Sequence, residues 1–180
     1  PFGWILKQED FEKGLDVLLT DIKRIPPSSV DSTIKNYHWM DLVTGMLNAY
    51  EKGNDTAILI DENNNITEGP GFNIFCVNES GIFTPDHGVL EGITRQTVFD
   101  LGNELNLSIF KKSISLKELQ SANELFATST AGGIMPITKV NGKEVGNGSI
   151  GNITRKLSKI YWEKHTDDGW SISVKDISNL

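Results

Sequence analysis

The sequence lacks the features that mark several large classes of protein. Its 180 residues contain a single cysteine, Cys76, so neither an internal disulfide nor a cysteine-based zinc site is available. No apolar run approaches the roughly 18 to 20 residues that a membrane-spanning helix needs, and the first residues lack the basic and apolar segments of a secretory signal. We therefore expect a cytoplasmic protein with no membrane partner.

Positive charge is also scarce. Lysine and arginine number 17 against 24 aspartates and glutamates, which gives a net charge of -7. Such a surface repels polyanions, so we expect no nucleic acid partner. The three histidines, His38, His87 and His165, are scattered without the spacing of metal ligands, and we expect no metal site.

What is present is the composition of one globular domain, with 38% hydrophobic and 23% charged residues. Alternating, branched segments predict strands, and apolar residues at helical spacing predict helices. Asn141-Gly142 is a two-residue hairpin signal. The strands between residues 57 and 84 predict an antiparallel meander, and the whole predicts one α+β domain. The predicted strands are Val17–Ile25, Ala57–Ile60, Ile66–Glu68, Phe72–Val77, Ile82–Thr84, Leu125–Thr128 and Ile134–Val140, and the predicted helices are Trp39–Tyr50, Ile93–Leu105 and Ile150–Tyr161.

Three glycine-containing turns are candidate anion sites. They are Glu68–Gly71, Leu90–Arg95 and Ser129–Gly133. Glycine with serine or threonine at the start of a helix presents unpaired backbone N–H groups and a hydroxyl, which together hold phosphate. The alternative is that each glycine only permits a tight turn.

Lys35 and Glu68 are the candidate chemical groups. Lys35 lies between the Pro26-Pro27 pair and the apolar face of a predicted helix, where partial desolvation would lower its pKa and let the amine attack an aldehyde. The alternative is an ordinary exposed lysine. Glu68 falls between strand residues and Gly69, which predicts a buried carboxylate that needs a cationic partner.

In this order the motifs resemble the class IV aminotransferases, the fold type IV group of pyridoxal-phosphate enzymes. Within that group they are most similar to the (R)-selective amine transaminases. The chain also begins at Pro1 without a methionine, and we expect a fragment that lacks an upstream domain. The matching segments are Ile34–Asn36, Thr67–Asn73, Thr84–Pro85, Leu90–Arg95 and Glu124–Pro136.

The resemblance implies a fold and an assembly. Residues 1–180 would form the large, C-terminal cofactor domain, with a mixed, largely antiparallel sheet or pseudo-barrel and flanking helices. The protein would be at least a homodimer and would transfer an amino group between an amine or amino acid and a keto compound through pyridoxal phosphate. Alternatives are a branched-chain or D-amino-acid aminotransferase, a lyase similar to aminodeoxychorismate lyase, or a truncated domain without activity.

The resemblance also implies residue roles. Lys35 would bind the cofactor as a Schiff base and move a proton during the reaction, and Glu68 would pair with the pyridine nitrogen. Branched-chain members carry a tyrosine five residues after the lysine, where this chain has Met40. The phosphate would be held by Ile93, Thr94, Thr130 and, less directly, Ser129; the ring would pack on Leu90; the substrate pocket would be bordered by Tyr37, Trp39, Ala131 and Gly132.

Overall fold

A computed structural model describes residues 8–172 of the chain and contains one mixed sheet with helices on its faces. The strands are β1 (Leu15–Lys23), β2 (Thr56–Ile60), β3 (Asn73–Asn78), β4 (Gly81–Thr84), β5 (Ile109–Lys111), β6 (Glu124–Ser129), β7 (Gly133–Val140) and β8 (Lys143–Glu144). The α-helices are α1 (Gln8–Lys13), α2 (Met40–Glu51), α3 (Ile93–Glu104), α4 (Leu116–Gln120) and α5 (Asn152–Glu163), and a 3-10 turn follows at Lys164–Thr166.

The strand order is β2-β1-β7-β6-β3-β4-β5, and β8 pairs with β7. β3 pairs antiparallel with β4 and β6, and β7 pairs antiparallel with β6 and β8. β1 is parallel to β2 and β7, and β4 is parallel to β5. Isolated bridges from Ile60 to Ile66 and from Asn65 to Ser115 link β2 to the segment that follows β5. The two ends of the sheet are thereby connected, and the prediction of an α+β fold with a mixed sheet is confirmed.

The predicted antiparallel pairing is confirmed for β3 with β4 and for β2 with residues 66–68, which bridge through Ile60 and Ile66, but β2 and β3 do not lie in one continuous meander. β3 and β4 form an antiparallel hairpin, but β2 lies at the far end of the strand path, parallel to β1. The reason is that α2 crosses between β1 and β2, so these three elements form a βαβ unit, which places the two strands side by side in parallel. Residues 66–68 run beside β2 without forming a named strand.

Two apolar layers lie on opposite faces of the sheet. Successive residues of a strand point to opposite faces, so Ile74 and Cys76 of β3 enter the core among the strands. Phe75 and Val77 instead join α3 and α5 on the other face. A smaller cluster seats Leu42 and Ala49 of α2 on the strand pair β1 and β2. Over residues 8–172, every helix is too short or too polar to cross a lipid bilayer.

The hairpin signal at Asn141-Gly142 is confirmed. Both residues adopt left-handed backbone conformations, with φ of 53° and 74°. This is the geometry of the two-residue turn that connects antiparallel strands with native twist. It joins β7 to β8, and β8 pairs back onto the end of β7.

Candidate active site

A cavity of about 370 Å³ opens where loops after β1, β2, β4 and β6 converge. Its volume falls in the range of roughly 300 to 1,000 Å³ that small-molecule sites occupy. The wall combines an amine, a buried carboxylate, several hydroxyls and the start of a helix. The residues at the wall are Arg24, Ser32, Thr33, Ile34, Lys35, Asn36, Trp39, Leu42, Glu68, Gly69, Gly71, Phe72, Asn73, Leu90, Glu91, Gly92, Ile93, Thr94, Arg95, Thr128, Ser129 and Thr130.

Glu68 is the buried carboxylate of this wall, with 5% of its surface exposed. Its Oε1 accepts a hydrogen bond from Arg24 Nε at 3.2 Å. Its Oε2 accepts from the Leu90 backbone N–H at 2.9 Å and from Asn73 Nδ2 at 3.3 Å. The prediction of a buried carboxylate is therefore confirmed. The cationic group that touches it within the described part of the chain is Arg24.

Arg24 is itself held in place by Asp41, the second residue of α2. Its guanidinium lies 2.6 Å from Asp41 Oδ2, and the same oxygen accepts from the Ile25 backbone N–H at 2.7 Å. Arg24 and Glu68 are both buried, and Asp41 is only slightly exposed. A buried charge pair of this kind holds its geometry because losing either partner leaves the other charge unpaired. The sequence patterns did not mark Arg24 or Asp41 as site residues, although Arg24 lies near the end of a predicted strand, two residues before a proline pair.

The pKa of Glu68 is raised above its ordinary value of 4.5. Burial is the largest cause because it disfavours the charged form, while the Leu90 N–H and the Arg24 guanidinium partly offset it. The carboxylate is thus a group whose charge a second cation in the cavity would further stabilise.

This raised pKa has a consequence for folding stability. The folded state binds the Glu68 proton more tightly than the unfolded chain, so the group's contribution is complete below pH 4.5 and is lost as pH rises toward the raised pKa. We expect the unfolding free energy of the cofactor-free protein to fall relative to that of Glu68→Gln as pH rises from 4.5. Urea unfolding at a series of pH values measures this difference. A difference that stays constant with pH would contradict the burial argument.

The first turn of α3 forms another part of the wall. Gly92 is the N-cap and has no side chain to cap the helix. The N–H groups of the first turn have no partners within the helix and carry its partial positive charge. A side chain at residue 92 would not fit, because a Cβ atom there would lie 2.3 Å from Asn73 Oδ1. The close approach of Gly92 to β3 therefore positions Ile93 and Thr94 at the cavity.

Arg95 holds this turn against the end of β4. It is almost fully buried, and its guanidinium donates to Thr84 Oγ1, the Pro85 carbonyl and Glu91 Oε2 at 3.2, 2.7 and 2.6 Å. Burial lowers the pKa of Arg95, and Glu91 opposes that change. These contacts tie α3 to the end of β4, so Arg95 supports the loop that carries Leu90.

Lys35 lies on the exposed side of the cavity. Its Nζ is 5.7 Å from the centre of the Trp39 ring, and the side chain is exposed to solvent. Of the two alternatives for Lys35, the structure shows the exposed lysine and not the partly desolvated one. The physical reason is that the loop carrying Lys35 is itself exposed, with only Ser32 buried between residues 31 and 40.

Most of the predicted site residues come together in this one cavity. Ser129 contributes to the turn as well, since its Oγ accepts from the Gly132 N–H at 2.9 Å. Tyr37, Ala131 and Gly132 are not part of the described wall; Tyr37 is fully exposed, and Gly132 packs against Met135. Those that reach the wall are Lys35, Trp39, Glu68, Leu90, Ile93, Thr94, Ser129 and Thr130.

The donor set suits an aromatic ring that bears a basic nitrogen, an aldehyde and a phosphate. A carboxylate fits a protonated ring nitrogen, a helix start with hydroxyls fits a phosphate, and a primary amine fits an aldehyde carbon. The described residues therefore fit pyridoxal phosphate in chemical type.

A family model for amino-transferase class IV matches residues 5–140, and the chain belongs to that family. The prediction of the family is confirmed. The branched-chain-amino-acid aminotransferase of Escherichia coli K12 is 32% identical over 94% of the chain and 57% of that relative. The chain thus spans about 57% of the length of this curated relative.

Solved structures agree in fold. A T.th. branched-chain amino acid aminotransferase with pyridoxamine 5'-phosphate has a TM-score of 0.87 and 27% identity, over 94% of this chain and 58% of that one. The enzyme of Thermoproteus uzoniensis with norvaline has a TM-score of 0.83 and 29% identity, over 88% of this chain and 54% of that one. These names do not confirm the closer likeness to (R)-selective amine transaminases; they fit the branched-chain alternative.

Proposed function

We propose that the protein is a pyridoxal-phosphate-dependent aminotransferase, and that residues 1–180 form its large cofactor domain. The observation that supports this most is the convergence on one cavity of Lys35, the buried Glu68 and the first turn of α3. A structural relative with pyridoxamine 5'-phosphate has the same fold. Bound pyridoxal phosphate supplies a protonated aromatic ring that withdraws electrons from the substrate carbon during amino transfer.

The residues of the chain have distinct tasks in this proposal. The Lys35 amine would hold the cofactor through its aldehyde carbon, with the carbonyl oxygen leaving as water, and once released by the substrate amine it would move the proton at the substrate carbon as general base and acid. The Glu68 carboxylate accepts a hydrogen bond from the ring N–H and keeps that nitrogen protonated. Asp41 positions Arg24, and Arg24 in turn holds Oε1 of Glu68. The Leu90 backbone N–H orients the other carboxylate oxygen, Oε2.

The phosphate group is assigned to the first turn of α3 and to the turn that carries Thr130. The N–H groups of Ile93 and Thr94 lie in the first turn of α3, and Thr94 and Thr130 add hydroxyls. Leu90 supplies apolar surface for the ring face. Trp39 borders the exposed mouth next to Lys35, where a substrate enters.

The exposed position of Lys35 fits a site completed by further protein. Because the chain spans little more than half of its curated relatives, we propose that the remaining part of the whole protein, together with a second copy in a homodimer, covers the mouth. Water exclusion would then come from that cover, since the described residues leave Lys35 open to solvent. We place the protein in the cytoplasm.

For the substrate we propose a branched-chain L-amino acid with a keto acid as acceptor, because the relatives at about 30% identity carry that name. The second candidate is a chiral primary amine without a carboxylate. It is supported by the resemblance of Trp39 and of the segments Glu68–Asn73 and Thr130–Pro136 to the (R)-selective amine transaminases, and Met40 departs from the tyrosine of branched-chain members.

A direct comparison of amino donors tests the substrate class. The natural full-length protein with pyridoxal phosphate should form glutamate from 2-oxoglutarate when leucine, isoleucine or valine is the donor. (R)-1-phenylethylamine is the matched comparison, since it has an amino group but no carboxylate. Amino transfer from the amine and none from the three amino acids would contradict the branched-chain assignment. Amino transfer from neither, with cofactor bound, would contradict the aminotransferase assignment.

A further inference from the structure

Thr128 carries the one side-chain oxygen or nitrogen in residues 9–172 that is fully buried without a hydrogen-bond partner. The residue is 2% exposed and lies in the cavity wall. Other buried threonines satisfy their hydroxyls: Thr67 donates to the Leu59 carbonyl, Thr84 to the Ile74 carbonyl and Thr138 to the Lys13 carbonyl. Native proteins rarely leave a buried hydroxyl unpaired, so the exception at Thr128 requires a cause.

The sheet directs Thr128 toward the start of α3. Side chains alternate along a strand, so Thr128 shares a face of β6 with Phe126, which packs in the cluster that contains α3 residues. Its cross-strand partner on β3 is Asn73. Asn73 in turn contacts Gly92, the N-cap of α3, and donates to the Leu90 carbonyl. The orphaned hydroxyl is therefore on the side of the sheet where the α3 N–H groups begin.

We propose that the Thr128 hydroxyl donates a hydrogen bond to a phosphate oxygen of the bound cofactor. This inference rests on the proposed function, because it needs pyridoxal phosphate in the cavity. It adds a donor that sequence patterns do not mark, since the family motif begins its anion-binding turn at Ser129 and Thr130. A phosphate oxygen that accepts this hydrogen bond gives the hydroxyl a partner. It thereby removes the free-energy cost of the unpaired hydroxyl in the cofactor-free protein.

The proposal predicts that loss of the Thr128 hydroxyl lowers the affinity for pyridoxal phosphate without lowering the stability of the cofactor-free protein. Thr128→Val keeps the shape but removes the hydroxyl, so affinity for pyridoxal phosphate should fall by roughly ten- to a hundredfold. The cofactor-free variant should unfold at the same temperature as the unsubstituted protein or higher, since no made hydrogen bond is lost. Thr128→Ser restores the hydroxyl and should bind within about threefold of the original affinity.

A matched control distinguishes this from a general effect of losing a threonine hydroxyl. Thr138 is equally buried, but its hydroxyl donates to the Lys13 carbonyl at 2.8 Å and it lies outside the cavity wall. Thr138→Val should lower the unfolding temperature of the cofactor-free protein and leave affinity unchanged. Pyridoxal, which lacks the phosphate, should bind the unsubstituted protein and Thr128→Val equally.

The measurements are a spectroscopic titration with pyridoxal phosphate and with pyridoxal, and thermal unfolding without cofactor, all on the natural full-length protein. Equal affinity of Thr128→Val and the unsubstituted protein for pyridoxal phosphate would overturn the Thr128 proposal alone. An equal loss of affinity for pyridoxal in Thr128→Val would also overturn it, because the contact would then be to the ring. A lowered unfolding temperature of cofactor-free Thr128→Val would overturn it too, because the hydroxyl would then have a bound water as its partner. Failure of the unsubstituted protein to bind pyridoxal phosphate at all would overturn the proposed function as well.

Discussion

Lys35→Ala is expected to abolish covalent attachment of pyridoxal phosphate and to lower amino transfer by roughly 10⁴-fold or more. The substitution removes both the amine that binds the aldehyde carbon and the group that carries the proton, and proton transfer by a positioned group is alone worth about 10² to 10⁴. Noncovalent binding should persist, because Glu68, Thr94 and Thr130 remain at the cavity. Absorbance of the bound cofactor and steady-state amino transfer measure the two effects.

The control for this variant is Lys52→Ala. Lys52 is an exposed lysine at the C-terminal end of α2, away from the cavity wall. Its replacement should leave both covalent attachment and turnover unchanged. If Lys35→Ala retained the absorbance of covalently bound cofactor, another amine would be the attachment site.

Glu68→Gln is expected to slow amino transfer by about 10² to 10³ while the cofactor remains bound through Lys35. Glutamine preserves the shape and can still accept from the Leu90 N–H, but it cannot hold a proton on the ring nitrogen by charge. Loss of one preorganised electrostatic partner costs about this much in comparable sites. The measurement is kcat with saturating cofactor, together with the stoichiometry of bound cofactor.

Glu62→Gln is the matched control, since Glu62 is an exposed carboxylate in the turn after β2. It should have the kcat of the unsubstituted protein. Unchanged kcat in Glu68→Gln would remove Glu68 from its role, and complete loss of cofactor would show that Glu68 serves binding rather than turnover.

Much of the fold could be predicted from local pattern. β3, β4, β6 and β7, and helices α2, α3 and α5, lie within a few residues of their predicted positions. Each has a strong signal of its own, either alternation along a strand or an apolar stripe along a helix. The Asn141-Gly142 turn was predicted correctly for the same reason, because those two residue types favour its left-handed geometry.

The missed elements depend on distant contacts or on weak signals. β5 has three residues and exists through its parallel pairing with β4, which no local pattern encodes. The five-residue helix α4 did carry a signal, because Ser115 and Glu118 form a capping box, but the helix is too short for an apolar stripe. The parallel pairing of β1 and β2 follows from the crossover through α2. It was not predicted, because the short strands that follow β2 in the sequence favoured an antiparallel meander.

The candidate site could be predicted in type but not in its electrostatics. Lys35, Glu68, Thr94 and Thr130 were each marked by a motif, and the structure brings them to one cavity. The pairing of Arg24 with Glu68 joins residues 44 positions apart, so it depends on how β1 and the segment after β2 pack together. Exposure of Lys35 likewise depends on what covers its loop, which local sequence does not determine.

The central claim is that the amine of Lys35 is the attachment point of pyridoxal phosphate. Borohydride reduction of the natural full-length protein in the presence of pyridoxal phosphate, followed by proteolysis and mass spectrometry, tests it most directly. The account predicts one pyridoxyl label, on the peptide that contains Lys35. A label on any other lysine, or on none, would contradict it.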